Sequence, residues 1–173
     1  VKMKKVAIIG AGLMTKPLVD YFIENCGYQT TVLNKTFEKA EKVIDKRPLG
    51  KAVAWVNNDD GILDGVISES DVVISMVPKW VHLQVAKSCL RFGKNMLTTA
   101  YEIPELVALD AEAKEKGIMI LNELGEVPGM DHFGTQLVLD EIRAEGGRVI
   151  SLKSYGSGLP SYASTTVPPS SWK

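Results

Sequence analysis

The chain has 173 residues, 45% of them hydrophobic and 24% charged, with a net charge of −1. This is the composition of an ordinary globular domain, and it gives no electrostatic case for nucleic acid or an anionic membrane surface. No apolar run reaches the ~18 residues that a spanning helix needs. Cys26 and Cys89 are far apart and form no C-x-x-C, so neither a disulfide framework nor a metal site is expected. The opening VKMKKVAIIG runs into a glycine turn rather than a small-residue cleavage site, so it does not read as a secretory leader. A cytoplasmic protein is the expectation.

In chain order, Lys5–Ile9 reads as a strand. A helix is expected from about Met14 to Asn25, with Pro17 tolerated in its first turn and Gly27 ending it. Leu18, Phe22 and Cys26 recur at four-residue spacing and predict its buried stripe. Thr30–Leu33 is β-branched and strand-like, and Thr36 can cap a helix over Phe37 to Asp45. Ala52–Val56 and Asp71–Met76 read as strands, the second apolar enough for the interior of a parallel sheet. A helix over Val81–Arg91 and a strand over Asn95–Thr98 follow. Pro104 opens a helix to about Lys116, closed by Gly117, and Ile118–Leu121 is the next strand. Asp131–Ala144 reads as a helix ended by Gly146 and Gly147, and Arg148–Tyr155 as a last strand. The alternation predicts an α/β fold, a Rossmann-like, doubly wound parallel sheet covered by helices on both faces. From Ser154 onward the composition turns to Ser, Pro, Gly and Thr. The expected division is a dinucleotide-binding domain over 1–155 and a linker or truncated crossover over 156–173.

The chemistry begins at VAIIGAGLMTKP, residues 6–17. A strand runs into Gly10-Ala11-Gly12 and then into a helix, which is the context a dinucleotide-binding loop requires. Gly10 makes the tight turn. Gly12 lets the backbone approach a pyrophosphate at the helix N-terminus. The third glycine of G-x-G-x-x-G is replaced by Thr15, whose hydroxyl can bond a phosphate or a nearby carbonyl. At the end of the second strand, Asn34-Lys35-Thr36 contains no carboxylate to hold a ribose diol. Lys35 and Thr36 can meet a 2′-phosphate and Asn34 a ribose, which favours NADP and leaves NAD open.

Six strings, in order, carry a resemblance to a known family: the glycine loop, VNNDD, VPKWVH, TTAYEIP, NELGEVPGMDH and SYGSGLP. From about Met3 to Pro160 the chain resembles the saccharopine dehydrogenases, most closely the glutamate-forming type. The resemblance implies a Rossmann domain followed by a larger second domain. It also implies NADP-dependent hydride transfer at the C–N bond that interconverts saccharopine with 2-aminoadipate semialdehyde plus glutamate, in lysine metabolism. Carried over by motif, Gly10, Gly12, Leu13, Met14 and Thr15 would cradle the pyrophosphate. Asn34, Lys35 and Thr36 would face the adenosine ribose, and Asn57 would lie near the adenine. Ser75, Val77 and Pro78 would border the nicotinamide half. Tyr101 would face the substrate, with Glu126 the carboxylate near the substrate-side loop.

Three departures fall on the substrate side. Ala100 stands where the family usually has Ser, Val127 stands at its loop aspartate, and Gly156 replaces a cysteine. No catalytic residue is assigned. His82 reads as a capping or packing residue and Asp131 as a helix cap, while His132 reads equally as a backbone-bonding or a catalytic group. The likeness stops near Pro160, so the second, substrate-binding domain is expected to be absent from this chain. The expected partner is a small amino-acid substrate, and an uncovered sheet face invites self-association into a homo-oligomer. A non-enzymatic nucleotide-sensing domain and an inactive fragment are the competing readings. The first normally carries the acidic residue that Asn34-Lys35-Thr36 lacks.

Overall fold

The computed structural model describes residues 3–57 and 59–156. They form two compact units, one up to Gly125 and the other from Glu126.

The first unit is built on six strands: β1 (Lys5–Ile9), β2 (Gln29–Asn34), β3 (Gly50–Ala54), β4 (Val72–Ser75), β5 (Asn95–Thr98) and β6 (Ile120–Leu121). All pairings are parallel, in the order β3-β2-β1-β4-β5-β6. This is the doubly wound arrangement the alternation predicts. Its strand order reverses between β1 and β4, so a crevice opens beyond their carboxyl ends.

Side-chain alternation along β1 separates the two faces. Val6 and Ile8 pack with Val19, Ile23, Ala40, Val43 and Ile44, which come from α1 (Thr15–Asp20), its continuation, and α2 (Phe37–Ile44). Ala7 and Ile9 pack with Leu63 and Ile67 of α3 (Asp60–Glu69) and with Val85, Ala86 and Cys89 of α4 (His82–Phe92). Ile103 and Leu106, at the head of α5 (Pro104–Val107), join the same cluster. Burial pushes the Cys89 thiol up to about 12, so it is an inert packing group.

Several expectations need correction. The first helix ends in a wide π turn over Tyr21–Asn25, closed by the Cys26 N–H on the Tyr21 carbonyl at 3.1 Å. Its buried face is Thr15, Val19 and Ile23, not Leu18, Phe22 and Cys26, which are only half-buried. The helix is therefore turned so that the replaced glycine position faces inward. Thr36 stands at the N-cap of α2 but makes no capping bond with its side chain. Strand β3 lies two residues earlier than expected, because the Trp55 indole donates to the Asp59 carbonyl at 2.8 Å and closes a turn there. The helix α3 was not expected at all. Asp59 caps it by accepting from the Ile62 N–H at 3.1 Å. The helix expected from Pro104 is broken between Val107 and α6 (Asp110–Glu115), where the Leu109 N–H bonds the Leu106 carbonyl in a tightened turn.

The second unit holds α7 (Met130–Ala144), which follows Gly129 at φ +137. Asp131 acts at its start, its carboxylate accepting from the Gly129 N–H at 3.0 Å and contacting His132 Nδ1 at 2.8 Å. The helix has no buried residue, and Met130, Phe133 and Leu137 are exposed. Residues 148–155 form no strand: among the described residues no strand pairs with them, and their side chains are exposed. The expected linker over 156–173 lies outside the described residues apart from Gly156.

Candidate cofactor-binding site

At the end of β1 the chain has to turn beneath the end of β4. Gly10 adopts φ +112, and a β-carbon there would lie 2.5 Å from the Met76 carbonyl oxygen. Only glycine tolerates both the conformation and the approach. The Gly10 N–H donates to the Leu33 carbonyl, and the Met76 N–H to the Ile9 carbonyl, each at 2.7 Å. These bonds tie the ends of β1, β2 and β4 together at the crevice.

Thr15 is fully buried, and its hydroxyl works inside the loop. It donates to the Gly10 carbonyl at 3.1 Å and accepts from the Gly12 N–H at 3.0 Å. The hydroxyl thus bonds a nearby carbonyl, one of the two contacts anticipated for it. The Thr15 N–H is likewise spent, on the Gly12 carbonyl at 3.1 Å.

Asn34 performs a second internal task. Its side-chain oxygen accepts from the Ala11 N–H at 3.1 Å, and its nitrogen donates to the Thr36 carbonyl at 2.9 Å. Its own carbonyl accepts from the Trp55 N–H at 3.0 Å. Its carboxamide thus braces the glycine loop, with one lone pair and one N–H left for a ribose.

What remains open is specific. A β-carbon added at Gly12 would meet nothing within 4 Å. Leu13 and Met14 are exposed, and among the described residues no hydrogen bond occupies their amides. Lys35 and Thr36 are exposed at the end of β2, with no carboxylate beside them in sequence. Two free amides at a helix start, an unfilled space over Gly12 and a nearby lysine suit a phosphorylated dinucleotide.

The remaining expected residues are distributed along the same carboxyl edge of the sheet. Asn57 is exposed after β3, Pro78 is exposed and Val77 half-buried after β4, and Tyr101 is 67% exposed after β5. Ser75 is fully buried, and its hydroxyl meets His82 Nδ1 at 2.8 Å. Burial also holds the His82 imidazole below its usual range, so at neutral pH the ring is uncharged. The pair is a strut that holds the segment Met76–Pro78 between β4 and α4. Sequence reading missed this partnership because it joins residues in different elements. Glu126 is exposed in the second unit, where its carbonyl accepts from the Asp131 N–H at 3.1 Å.

A family model for the "Saccharopine dehydrogenase NADP binding domain" matches residues 6–121. The chain belongs to the saccharopine dehydrogenase NADP-binding family. It is 35% identical over 165 residues to saccharopine dehydrogenase [NADP(+), L-glutamate-forming] of Pyricularia oryzae, covering 95% of this chain and 36% of that protein. The Saccharomyces cerevisiae protein of the same name is 35% identical over 158 residues, covering 91% of this chain and 35% of its own length. Mitochondrial alpha-aminoadipic semialdehyde synthase of Bos taurus is 30% identical, covering 91% and 17%. Among solved structures, apo saccharopine dehydrogenase (L-Glu forming) from Saccharomyces cerevisiae superposes with a TM-score of 0.73 at 33% identity, covering 83% of this chain and 32% of that one. The 3-ketoreductase KijD10 from Actinomadura kijaniata shares the fold, with a TM-score of 0.60 at 20% identity and coverage of 81% and 44%. The chain thus spans about a third of the length of the fungal relatives.

Two outcomes follow from the geometry. Gly10→Ala loses about 2–4 kcal/mol of stability in chemical denaturation, because the β-carbon meets backbone rather than a movable side chain. The His82 strut makes stability depend on pH. Its folded pKa is depressed, so the unfolded chain protonates first as pH falls below about 6.5, and stability is lost from there down through the folded value. Urea midpoints measured between pH 5 and 8 show a smaller acid slope in His82→Gln than in the native chain.

Proposed function

We propose that this chain is the cofactor-binding part of an NADP-dependent saccharopine dehydrogenase. The enzyme would interconvert saccharopine with 2-aminoadipate semialdehyde plus glutamate, a step of lysine metabolism. The observation that carries the reading is the open backbone over Gly12–Met14, facing the reversal between β1 and β4, with Lys35 at the end of β2. Family membership and the names of the relatives support the chemistry.

In this reading the Leu13 and Met14 amides receive the pyrophosphate and Gly12 leaves it room. Lys35 and the Thr36 hydroxyl receive the 2′-phosphate, and the spare hydrogen-bonding capacity of Asn34 meets the ribose. Val77 and Pro78 border the nicotinamide half, on a segment held by the Ser75–His82 strut. Bound NADPH supplies the hydride for the C–N bond. Tyr101 presents its phenol on the same edge, towards the amino-acid substrate, and Glu126 belongs to the substrate side. A clamp for the substrate carboxylates comes from the part of the enzyme that this chain does not match in its relatives.

Calorimetric titration tests the reading. NADPH binds with one site per chain and more tightly than NADH, and Lys35→Ala removes most of that preference. Gly12→Ala leaves the unfolding free energy within about 0.5 kcal/mol of the native chain while weakening NADPH at least about tenfold. Binding of neither nucleotide to the native chain overturns the reading.

A further inference from the structure

Trp80 is 77% exposed, whereas Trp55 is 5% exposed. An indole is a large apolar surface to leave in water, and here it is held there by a rigid support. Trp80 lies in the short turn Lys79–Val81 between β4 and α4. The turn is closed by the Val81 N–H on the Pro78 carbonyl at 2.9 Å. The two residues after Trp80 are both buried, Val81 in the core and His82 against Ser75. The turn therefore cannot rotate to bury the indole without withdrawing both.

Trp80 and Asn57 line the same open groove, of about 470 Å³. Asn57 sits on the turn after β3, which is stapled by the Trp55 indole on the Asp59 carbonyl. The two turns come together because α3 crosses from β3 to β4 and packs beside α4. Gln84 donates to Asp60 at 2.6 Å, joining the helix heads. The groove thus has two stiff sides, one offering a flat aromatic face and the other a carboxamide.

From these features we infer that Trp80 is the stacking platform for the adenine of the bound dinucleotide, with Asn57 offering its amide to the edge of the base. The inference rests on the cofactor reading above. An adenosine leaving the glycine loop over Lys35 and Thr36 heads towards the turn after β3, and so towards this groove. A planar base with polar edges matches an indole beside a carboxamide, and stacking of this kind tolerates no loss of the aromatic face.

The test uses the full chain and two nucleotides, NADPH and 2′,5′-ADP, which carries the adenosine half without the nicotinamide. Trp80→Ala weakens both by about tenfold, Trp80→Phe restores most of the loss, and the thermal midpoints of all three proteins agree. Indole emission changes on adding 2′,5′-ADP to the native chain, and the change is absent in Trp80→Phe. If the native chain binds NADPH and Trp80→Ala binds both nucleotides as tightly, the platform is overturned and the cofactor reading stands. If the native chain binds neither, both fall.

Discussion

Everything at the crevice depends on the close passage of Gly10 beneath the Met76 carbonyl. The ends of β1 and β4 belong to neighbouring parallel strands whose connections leave on opposite faces of the sheet. They can part only if the chain after Ile9 turns at once, and that turn runs into the backbone of β4. A β-carbon 2.5 Å from a carbonyl oxygen has no accommodation, because the obstacle is main chain fixed by the Met76–Ile9 hydrogen bond. Once the turn is made, the following residues project beyond the sheet, and the helix start lies over the point where the strand order reverses.

The loop is then stiffened from within. A third glycine would permit close packing of helix on strand, but it would contribute no hydrogen bond. Thr15 fills the same inward position and staples the loop through the Gly10 carbonyl and the Gly12 N–H. Asn34 braces it from β2 through the Ala11 N–H. These bonds consume the Ala11, Gly12 and Thr15 amides, while among the described residues those of Leu13 and Met14 stay unbonded. A binding site in which the unused groups are already aimed loses less entropy on ligand binding. The absence of a carboxylate at Asn34–Thr36 has the same logic. An acidic side chain there would hold a ribose diol but repel a 2′-phosphate beside Lys35.

Much of the fold was legible because its signals are local. The strands β1 and β5 have the bounds expected of them, and Gly27 and Gly117 stop their elements at φ +65 and φ +63. What was missed depends on partners. The helix α3 contains Gly61 and Gly65, which weaken its intrinsic propensity, and its Leu63 and Ile67 declare themselves only once they pack on β1. The buried stripe of α1 was misplaced by one position because the inward role of Thr15 comes from the loop, not from helical periodicity. Residues 148–155 have strand-like composition, yet a strand exists only with a neighbour to pair with. In the site, the tight turn at Gly10 could be read directly. The work of Asn34, Ser75 and His82 could not, because each acts through a residue from another element.

The central claim is that the glycine loop of this chain is a preformed cradle for NADPH. Two-dimensional amide NMR of the isotopically labelled chain tests it most directly. On saturation with NADPH, the largest shifts are expected at the Leu13 and Met14 amides, with smaller ones at Lys35 and Thr36. NADPH that saturates the chain while leaving the Leu13 and Met14 amides unmoved would contradict it.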